Sequence, residues 1–364
     1  MRESDPKNPR AIDELFRQVH WGAFRNGLIA SALLSAAIVA GSRRLSDFDA
    51  ALVGYTFASI FAFFAIVYRY SVWLTKPPTR RYWVRGWQLC FSPRLWKNLR
   101  SPRILATAVT RRLVIQDFVW RRGRGRWIAH MLLASGCVLA AFVTFPLVFG
   151  WVHFEQGSIN PPTYVVYAFG FPVDQMPVGG AKSWFALHAL LIASFLVIPG
   201  VMMAMHRRMT DFGAVAVQRF ARDFMPLIML FAVAFSGLLL WVSYEFLGGH
   251  FYGAIAQFHA FTVIATLLYL PFGKLFHIFQ RPASLGIAYY KAVNADLEPT
   301  ICPVTGKPFA PRMHTDDVKE VLHEMDFDYS SKNPGQPDWT EISPQGKRML
   351  IGRAHNAVRH NRFD

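Results

Sequence analysis

The stretch WFALHALLIASFLVIPGVMMAMH, residues 184–206, runs for 23 positions without an aspartate, glutamate, lysine or arginine. A helix crosses the hydrocarbon core of a bilayer with about 20 mostly apolar residues, so this stretch predicts a transmembrane helix. Five further stretches have the same character, and together they predict an all-α integral membrane protein. The six predicted spans cover residues 22–41, 51–74, 127–150, 184–206, 224–247 and 251–279.

The composition of the whole chain agrees with this fold class. Of its 364 residues, 53% are hydrophobic and only 17% are charged, against about 25% charged residues in an ordinary soluble domain. Its three cysteines lie far apart without a C-x-x-C motif, which argues against a disulfide framework and against a zinc or iron–sulfur site within the chain. The net charge of +16 marks the cytoplasmic loops of a membrane protein rather than a nucleic-acid partner.

Basic residues between the spans predict the orientation of the chain. The loop of residues 75–126 carries 14 lysines and arginines and a single acid, Asp117, whereas Lys182 is the one basic residue of the loop 151–183. The positive-inside rule therefore places both termini and the loop 75–126 in the cytoplasm, and the loop 151–183 on the opposite side. We expect a multi-pass protein of a bacterial or archaeal cytoplasmic membrane.

The same pattern divides the chain into five segments. Residues 104–120 are amphipathic and predict either a helix on the anionic inner leaflet or a solvated basic connector. The polar tail shows one predicted helix, near residues 316–325, and we expect a partner to order it. The segments are a cytoplasmic N-terminal segment (1–21), two helices (22–74), a basic cytoplasmic loop (75–126), a four-helix transmembrane domain (127–279) and a cytoplasmic docking tail (280–364).

Histidines are spaced regularly along the fourth and sixth predicted spans. His188 and His206 are 18 residues apart, as are His259 and His277, and His130 lies one turn inside the third span. Eighteen helical residues advance about 27 Å and return to the same helix face. Each of the two helices is therefore predicted to present an imidazole near each surface of the bilayer.

Ionisable residues within membrane spans are costly and point to a function. Neutral imidazoles that face each other across a helix bundle at two depths suit two bis-histidine haem b groups. A zinc site needs further converging ligands, and a proton relay needs acids inside the spans, where only Glu245 comes near. For His206, which precedes two arginines, an ordinary interfacial role is an equally good interpretation.

Two of these spans carry motifs of a known family. The sixth span contains FHA at residues 258–260 and ends in LPFGKLFHIF at residues 270–279, and the third begins with RWIAH at residues 126–130. These spans resemble the haem-binding helices of the gamma subunit of respiratory nitrate reductase and of related cytochrome b subunits, such as the membrane subunit of heterodisulfide reductase. The resemblance covers roughly residues 127–282 and implies that His130, His259 and His277 bind haem.

The chain also departs from that family. The family's earlier haem helix has a second histidine ten residues after the first, where this chain has Ala140. The outer haem then needs another ligand, and His188 lies at the matching depth. The chain has one span more than the five of the family, and a longer tail.

Together, these features predict a di-haem b membrane subunit of a multi-subunit oxidoreductase. We expect it to exchange electrons between membrane quinone and a cytoplasmic partner with iron–sulfur clusters, because the chain has no flavin or dinucleotide fingerprint of its own. The basic cytoplasmic surface is expected to attract that partner and anionic lipids. Two other functions remain open: half of a twelve-span transporter, and a haem-free membrane anchor.

The predicted ligands form two pairs. The inner haem is assigned to His130 and His277, with His206 as the alternative to His130, and the outer haem to His188 and His259. Lys274, one turn before His277, is expected either to reach a haem propionate or to extend to the inner membrane surface as an anchor.

Overall fold

The computed structural model describes residues 19–93, 100–211, 213, 218–327, 329 and 337–360, which are mostly helical. The helices, in chain order, are α1 (Trp21–Gly41), α2 (Val53–Leu74), α3 (Pro77–Cys90), α4 (Arg100–Val109), α5 (Asp117–Trp120), α6 (Arg124–Val148), α7 (Ala181–Thr210), α8 (Met225–Phe246), α9 (Tyr252–Tyr269), α10 (His277–Gln280), α11 (Ser284–Asn294), α12 (Arg312–Glu324) and α13 (Pro344–His360). The strands are β1 (Val152–Ile159), β2 (Pro162–Ala168), β3 (Phe171–Pro177), β4 (Pro299–Ile301) and β5 (Pro308–Pro311).

Six helical segments of the described residues are long and apolar enough to cross a membrane, which confirms the predicted number of spans and indicates a multi-pass membrane protein. No more than 33% of the apolar window of any of them is buried within the protein, so most of these apolar residues lie outside the protein's own core. The segments are Trp21–Gly41, Ala50–Leu74, Arg124–Val148, Ala181–Thr210, Phe220–Phe246 and Tyr252–Tyr269.

The sixth span is shorter than the predicted 251–279. Helix α9 ends at Tyr269 because Pro271 has no N–H to continue the helical hydrogen bonds. The guanidinium of Arg69 donates a hydrogen bond to the carbonyl oxygen of Pro271 and lies 4.4 Å from the ring centre of Phe276, so it stabilises the break. The prediction that the last two haem-ligand histidines share one face of a continuous helix is therefore wrong.

The described parts of Met1–Val72 and Gln116–Phe279 form one compact unit. Its closest helix packing is between α6 and α7, where glycines replace larger side chains. A Cβ atom on Gly136 would lie 2.7 Å from a methyl carbon of Val197, and one on Gly200 would lie 3.0 Å from Leu133. The apolar core continues onto α8 through Val201 and Leu227.

Residues 151–183 contain a three-stranded antiparallel sheet in the order β1-β2-β3, which the sequence analysis did not predict. The run YVVY at residues 164–167 has the β-branched and aromatic composition typical of strands. The ring of His153 on β1 stacks on Tyr167 of β2, and its Nδ1 lies 3.8 Å from Asp47 in the loop between α1 and α2. Hydrogen bonds from Arg43 hold the pKa of Asp47 below its usual range.

The described parts of Trp73–Ile115 and Gln280–Asp364 form a second compact unit. The predicted basic loop and the predicted tail thus both contribute to one unit, and the tail contains three described helices where the sequence predicted one. Helices α3 and α11 cross where Gly86 meets Gly286, since a Cβ atom on Gly86 would lie 2.6 Å from the Cα atom of Gly286. Tyr289 is buried beside this crossing and donates a hydrogen bond to the carbonyl oxygen of Ser101.

The amphipathic segment 104–120 is not one continuous helix. Helix α4 passes into a π-helical turn (Thr110–Val114), and Gln116 adopts a left-handed conformation with φ 56° before α5 begins. Helix α4 packs against α11. One side of α4 is therefore covered by protein, which neither predicted interpretation anticipated.

A buried carboxylate links the two sequence segments of the second unit. Asp317 of α12 accepts hydrogen bonds from Arg81 at 2.7 Å, from Arg85 at 3.0 Å and from the Tyr290 hydroxyl at 2.9 Å. Burial opposes the ionisation of Asp317, but the hydrogen bonds from Arg85, Tyr290 and Arg81 outweigh it and hold the pKa of Asp317 below its usual value. The loop helix α3 is thereby held to the tail helix α12.

Candidate functional site

The structure brings two of the predicted haem ligands together. The imidazole rings of His130, near the start of α6, and His277, at the start of α10, have centres 6.4 Å apart and planes at 83° to each other. Two imidazoles that bind one metal ion from opposite sides have ring centres roughly 6 Å apart, because each metal–nitrogen bond is about 2 Å long. The separation of this pair fits a bis-histidine metal site.

One nitrogen of this pair is left without a partner. The Nδ1 atom of His130 is buried and has no hydrogen-bond partner among the described residues. A buried polar atom without a partner is unfavourable and calls for a group that satisfies it. A metal bond or a hydrogen bond to a cofactor at this imidazole would meet that requirement.

Two candidate ligands are oriented by backbone carbonyl groups three or four residues before them in the chain. The Nδ1 atom of His277 lies 2.6 Å from the carbonyl oxygen of Lys274, and Nδ1 of His188 lies 2.8 Å from that of Trp184. A carbonyl oxygen only accepts, so Nδ1 carries the proton in each ring and Nε2 keeps its lone pair. Metal-binding histidines usually donate their second ring N–H in this way.

A hydroxyl group contacts His259. Its Nδ1 atom lies 2.9 Å from the hydroxyl oxygen of Ser236, which is itself 2.6 Å from the carbonyl oxygen of Ala232. If the hydroxyl gives its one proton to Ala232, His259 donates from Nδ1 to Ser236. A Cβ atom on the neighbouring Gly237 would lie 3.3 Å from the His259 ring, so this glycine leaves space beside the imidazole.

The outer pair is not in contact among the described residues. A Cβ atom on Gly237 would lie 3.3 Å from the His259 ring and 3.9 Å from the hydroxyl of Ser194 on α7, so Ser194 is the α7 residue near His259 at this point. His188 precedes Ser194 by six residues, about 9 Å along the helix, and its ring stacks on Trp184 with centres 4.7 Å apart. The pairing of His188 with His259 therefore stays a prediction.

His206 and Lys274 have different surroundings from those predicted for a haem site. His206 is exposed on α7, whereas His130 adjoins His277, so the geometry favours His130 for the inner pair. The Lys274 ammonium forms an ion pair with Asp223. Neither predicted role of Lys274, the propionate contact or the surface anchor, included this acid.

Comparison with family models, curated proteins and solved structures found no match to this chain. The resemblance described above therefore rests on the motifs quoted for it. Among the described residues, no group of three or more His, Cys, Asp or Glu side chains is placed to hold a metal ion. Paired histidines suit a metal whose remaining ligands come from a macrocycle.

Several residues around the candidate site were missed by the sequence analysis. Ser236 and Gly237 form a small, polar interruption in the middle of an uncharged span, and that interruption is the signal that marks them. Asp223 is an acid among arginines at the start of the same span. The role of such single residues depends on the neighbours that folding places around them, which the sequence does not show.

Proposed function

We propose that this protein is a di-haem b membrane subunit of a multi-subunit oxidoreductase in a bacterial or archaeal cytoplasmic membrane. It exchanges electrons between membrane quinone and a cytoplasmic partner that carries iron–sulfur clusters, and both of its termini lie in the cytoplasm. The observation that carries the proposal is the pair of His130 and His277, with ring centres 6.4 Å apart and a buried His130 Nδ1 without a partner among the described residues.

The chain's own residues supply the ligands and their orientation. Haem b bound at these histidines supplies one-electron transfer. His130 and His277 hold the inner haem, and His188 and His259 hold the outer one. Hydrogen bonds from Nδ1 to backbone carbonyl oxygens keep Nε2 of His277 and His188 available as the ligand atom.

The two candidate sites lie at different depths. His259 is ten residues before the end of α9, about 15 Å along the helix axis, whereas His277 follows the break at Pro271. Electrons that pass between the sites therefore move across much of the bilayer. Reaction of quinone at the outer site, with the partner at the inner one, makes turnover electrogenic.

Haem content of single-histidine variants tests the proposal. The full chain is purified in detergent, and haem b per protein is measured by pyridine haemochrome, with a reduced-minus-oxidised spectrum. We expect two haems in the wild type and one in each of His130→Ala, His277→Ala, His188→Ala and His259→Ala. His206→Ala and His250→Ala are the matched controls and keep both haems.

Each alternative has its own outcome. A wild type without haem b bands would refute the proposal and leave the transporter or the haem-free anchor. Loss of the same haem in His206→Ala and His277→Ala, with two haems retained in His130→Ala, would place the inner ligands on α7 and α10 instead.

A further inference from the structure

A cavity of about 520 Å³ lies in the first unit, where the end of α7 and the start of α8 approach the break after α9. Its wall is strongly basic. The cations that line it are Arg207, Arg208, Arg219, Arg222 and Lys274.

One buried acid neutralises only part of this charge. Asp223 also lines the cavity and accepts hydrogen bonds from Arg208 at 3.3 Å, from the Lys274 ammonium and from the backbone N–H of Arg219 at 2.9 Å. No ion pair of the Arg219 or Arg222 guanidinium is present among the described residues. Five cations against one carboxylate leave a net positive charge of four around the cavity.

Two of the lining residues also have a buried polar atom without a partner among the described residues: Nε of Arg208, a donor, and Oε1 of Gln218, an acceptor. The side-chain amide of Gln218 is held in place by its donation to the carbonyl oxygen of Arg208 at 3.0 Å. A ligand with both anionic oxygens and hydroxyl groups would satisfy both atoms.

Arginine forks match the oxygens of phosphate, which they bind through two parallel hydrogen bonds. The cavity volume falls within the range of about 300–1,000 Å³ typical of small-molecule sites, so it holds more than a single phosphate. The aromatic side chains of Phe220 and Phe272 are 63% exposed beside these basic residues. Basic side chains that bind a charged headgroup, next to exposed aromatic rings, are typical of a lipid site at the membrane interface.

We propose that this cavity binds the phosphate-bearing headgroup of an anionic phospholipid with a polyol group, such as phosphatidylglycerol. Arg219 and Arg222 contact the phosphate, Gln218 accepts from a headgroup hydroxyl, and the acyl chains run along the exposed aromatic rings. The test is independent of haem binding, because Gln218, Arg219 and Arg222 are not candidate haem-binding residues.

Lipid retention tests the proposal. The full chain is placed in nanodiscs of phosphatidylcholine with 5 mol% phosphatidylglycerol, and the lipid that remains bound after release into detergent is measured by native mass spectrometry. We expect the wild type to retain phosphatidylglycerol and Arg219→Gln/Arg222→Gln to retain at least tenfold less. Arg121→Gln/Arg122→Gln, which also removes two exposed basic charges of the first unit, retains as much as the wild type.

A second arm separates the lipid from a soluble phosphate compound. Inorganic pyrophosphate is titrated against the protein in pure phosphatidylcholine nanodiscs by calorimetry. Binding of pyrophosphate without retention of phosphatidylglycerol would overturn the lipid assignment, as would equal losses in the two double variants. Both arginines of the cavity variant are exposed, and Arg222→Gln alone, expected to lower retention severalfold, provides the test if the double variant does not fold.

Discussion

Replacing Asp317 by asparagine should increase the opening of the second unit far more than replacing the neighbouring Glu320 by glutamine. The side chain of Asp317 is only 6% exposed and pairs with both Arg81 and Arg85, which come from the other sequence segment of this unit. Asparagine keeps the shape of the side chain but removes the charge on which both ion pairs depend. The contact between α3 and α12 is therefore weakened without a change in packing volume.

The magnitude follows from the burial of the group. Loss of one partner of a buried ion pair costs about 3–5 kcal/mol, because the remaining charge stays desolvated. The lower end applies here, since Arg81 keeps Glu320 and the Arg85 side chain is 31% exposed to solvent. A cost of about 3 kcal/mol corresponds to a roughly 100-fold larger opening equilibrium.

Hydrogen exchange of the full chain in nanodiscs measures this opening. Amides of α3 and α12 should exchange about 100-fold faster in Asp317→Asn than in the wild type. Glu320→Gln is the matched control, since it removes the same charge from the same helix and the same partner, Arg81. The Glu320 side chain is 50% exposed, so its loss is expected to cost no more than about 1 kcal/mol, less than a tenfold change. Equal acceleration in the two variants would refute the importance of the buried pairs.

Three further results are expected. Because the folded-state pKa of Asp317 lies below its ordinary value, its contribution is present above about pH 4 and is lost as pH falls through the folded pKa. Protection factors of α12 should therefore decline below pH 4 in the wild type and not in Asp317→Asn. Gly86→Ala should lower the free energy of opening of α3 by about 1–3 kcal/mol and so speed its exchange, because the new Cβ atom would lie 2.6 Å from the backbone of α11. Gly352→Ala, with nothing within 4 Å, should leave exchange in α13 unchanged or slower. Gly136→Ala should lower the melting temperature in detergent, measured by fluorescence-detected chromatography, because its Cβ would lie 2.7 Å from a side chain of α7, whereas Gly125→Ala on the same helix meets open space and should have no effect.

The number and positions of the membrane helices were predictable because hydropathy is local. Each span is a run of apolar residues that is long enough to cross a bilayer by itself, whatever its neighbours do. The end of the sixth span carried a local signal as well, since Pro271 lies within it. The residue that stabilises the break, Arg69, is 202 positions away and donates a hydrogen bond to the carbonyl oxygen of Pro271.

The second unit was missed because its two sequence segments bury little by themselves. Residues 280–364 are polar in composition, and two of their buried side chains, Tyr289 and Asp317, have hydrogen-bond partners in the loop 75–115. Contacts between segments some 200 residues apart produce no periodic pattern of apolar residues in either segment. The small sheet of residues 152–177 was missed for a related reason, since its short strands lack a clean alternation of apolar and polar residues.

The candidate ligands show the same division. Sequence alone selected His130, His188, His259 and His277, because an imidazole within an apolar span is conspicuous and costly. Only the tertiary structure decided that the chain breaks before His277 and that its ring then adjoins that of His130. Tertiary structure also placed Ser236 and Gly237 beside His259 and gathered the arginines around Asp223. Composition along the chain determines which segments enter the membrane, whereas the meeting of side chains from different helices depends on packing distances that sequence spacing does not record.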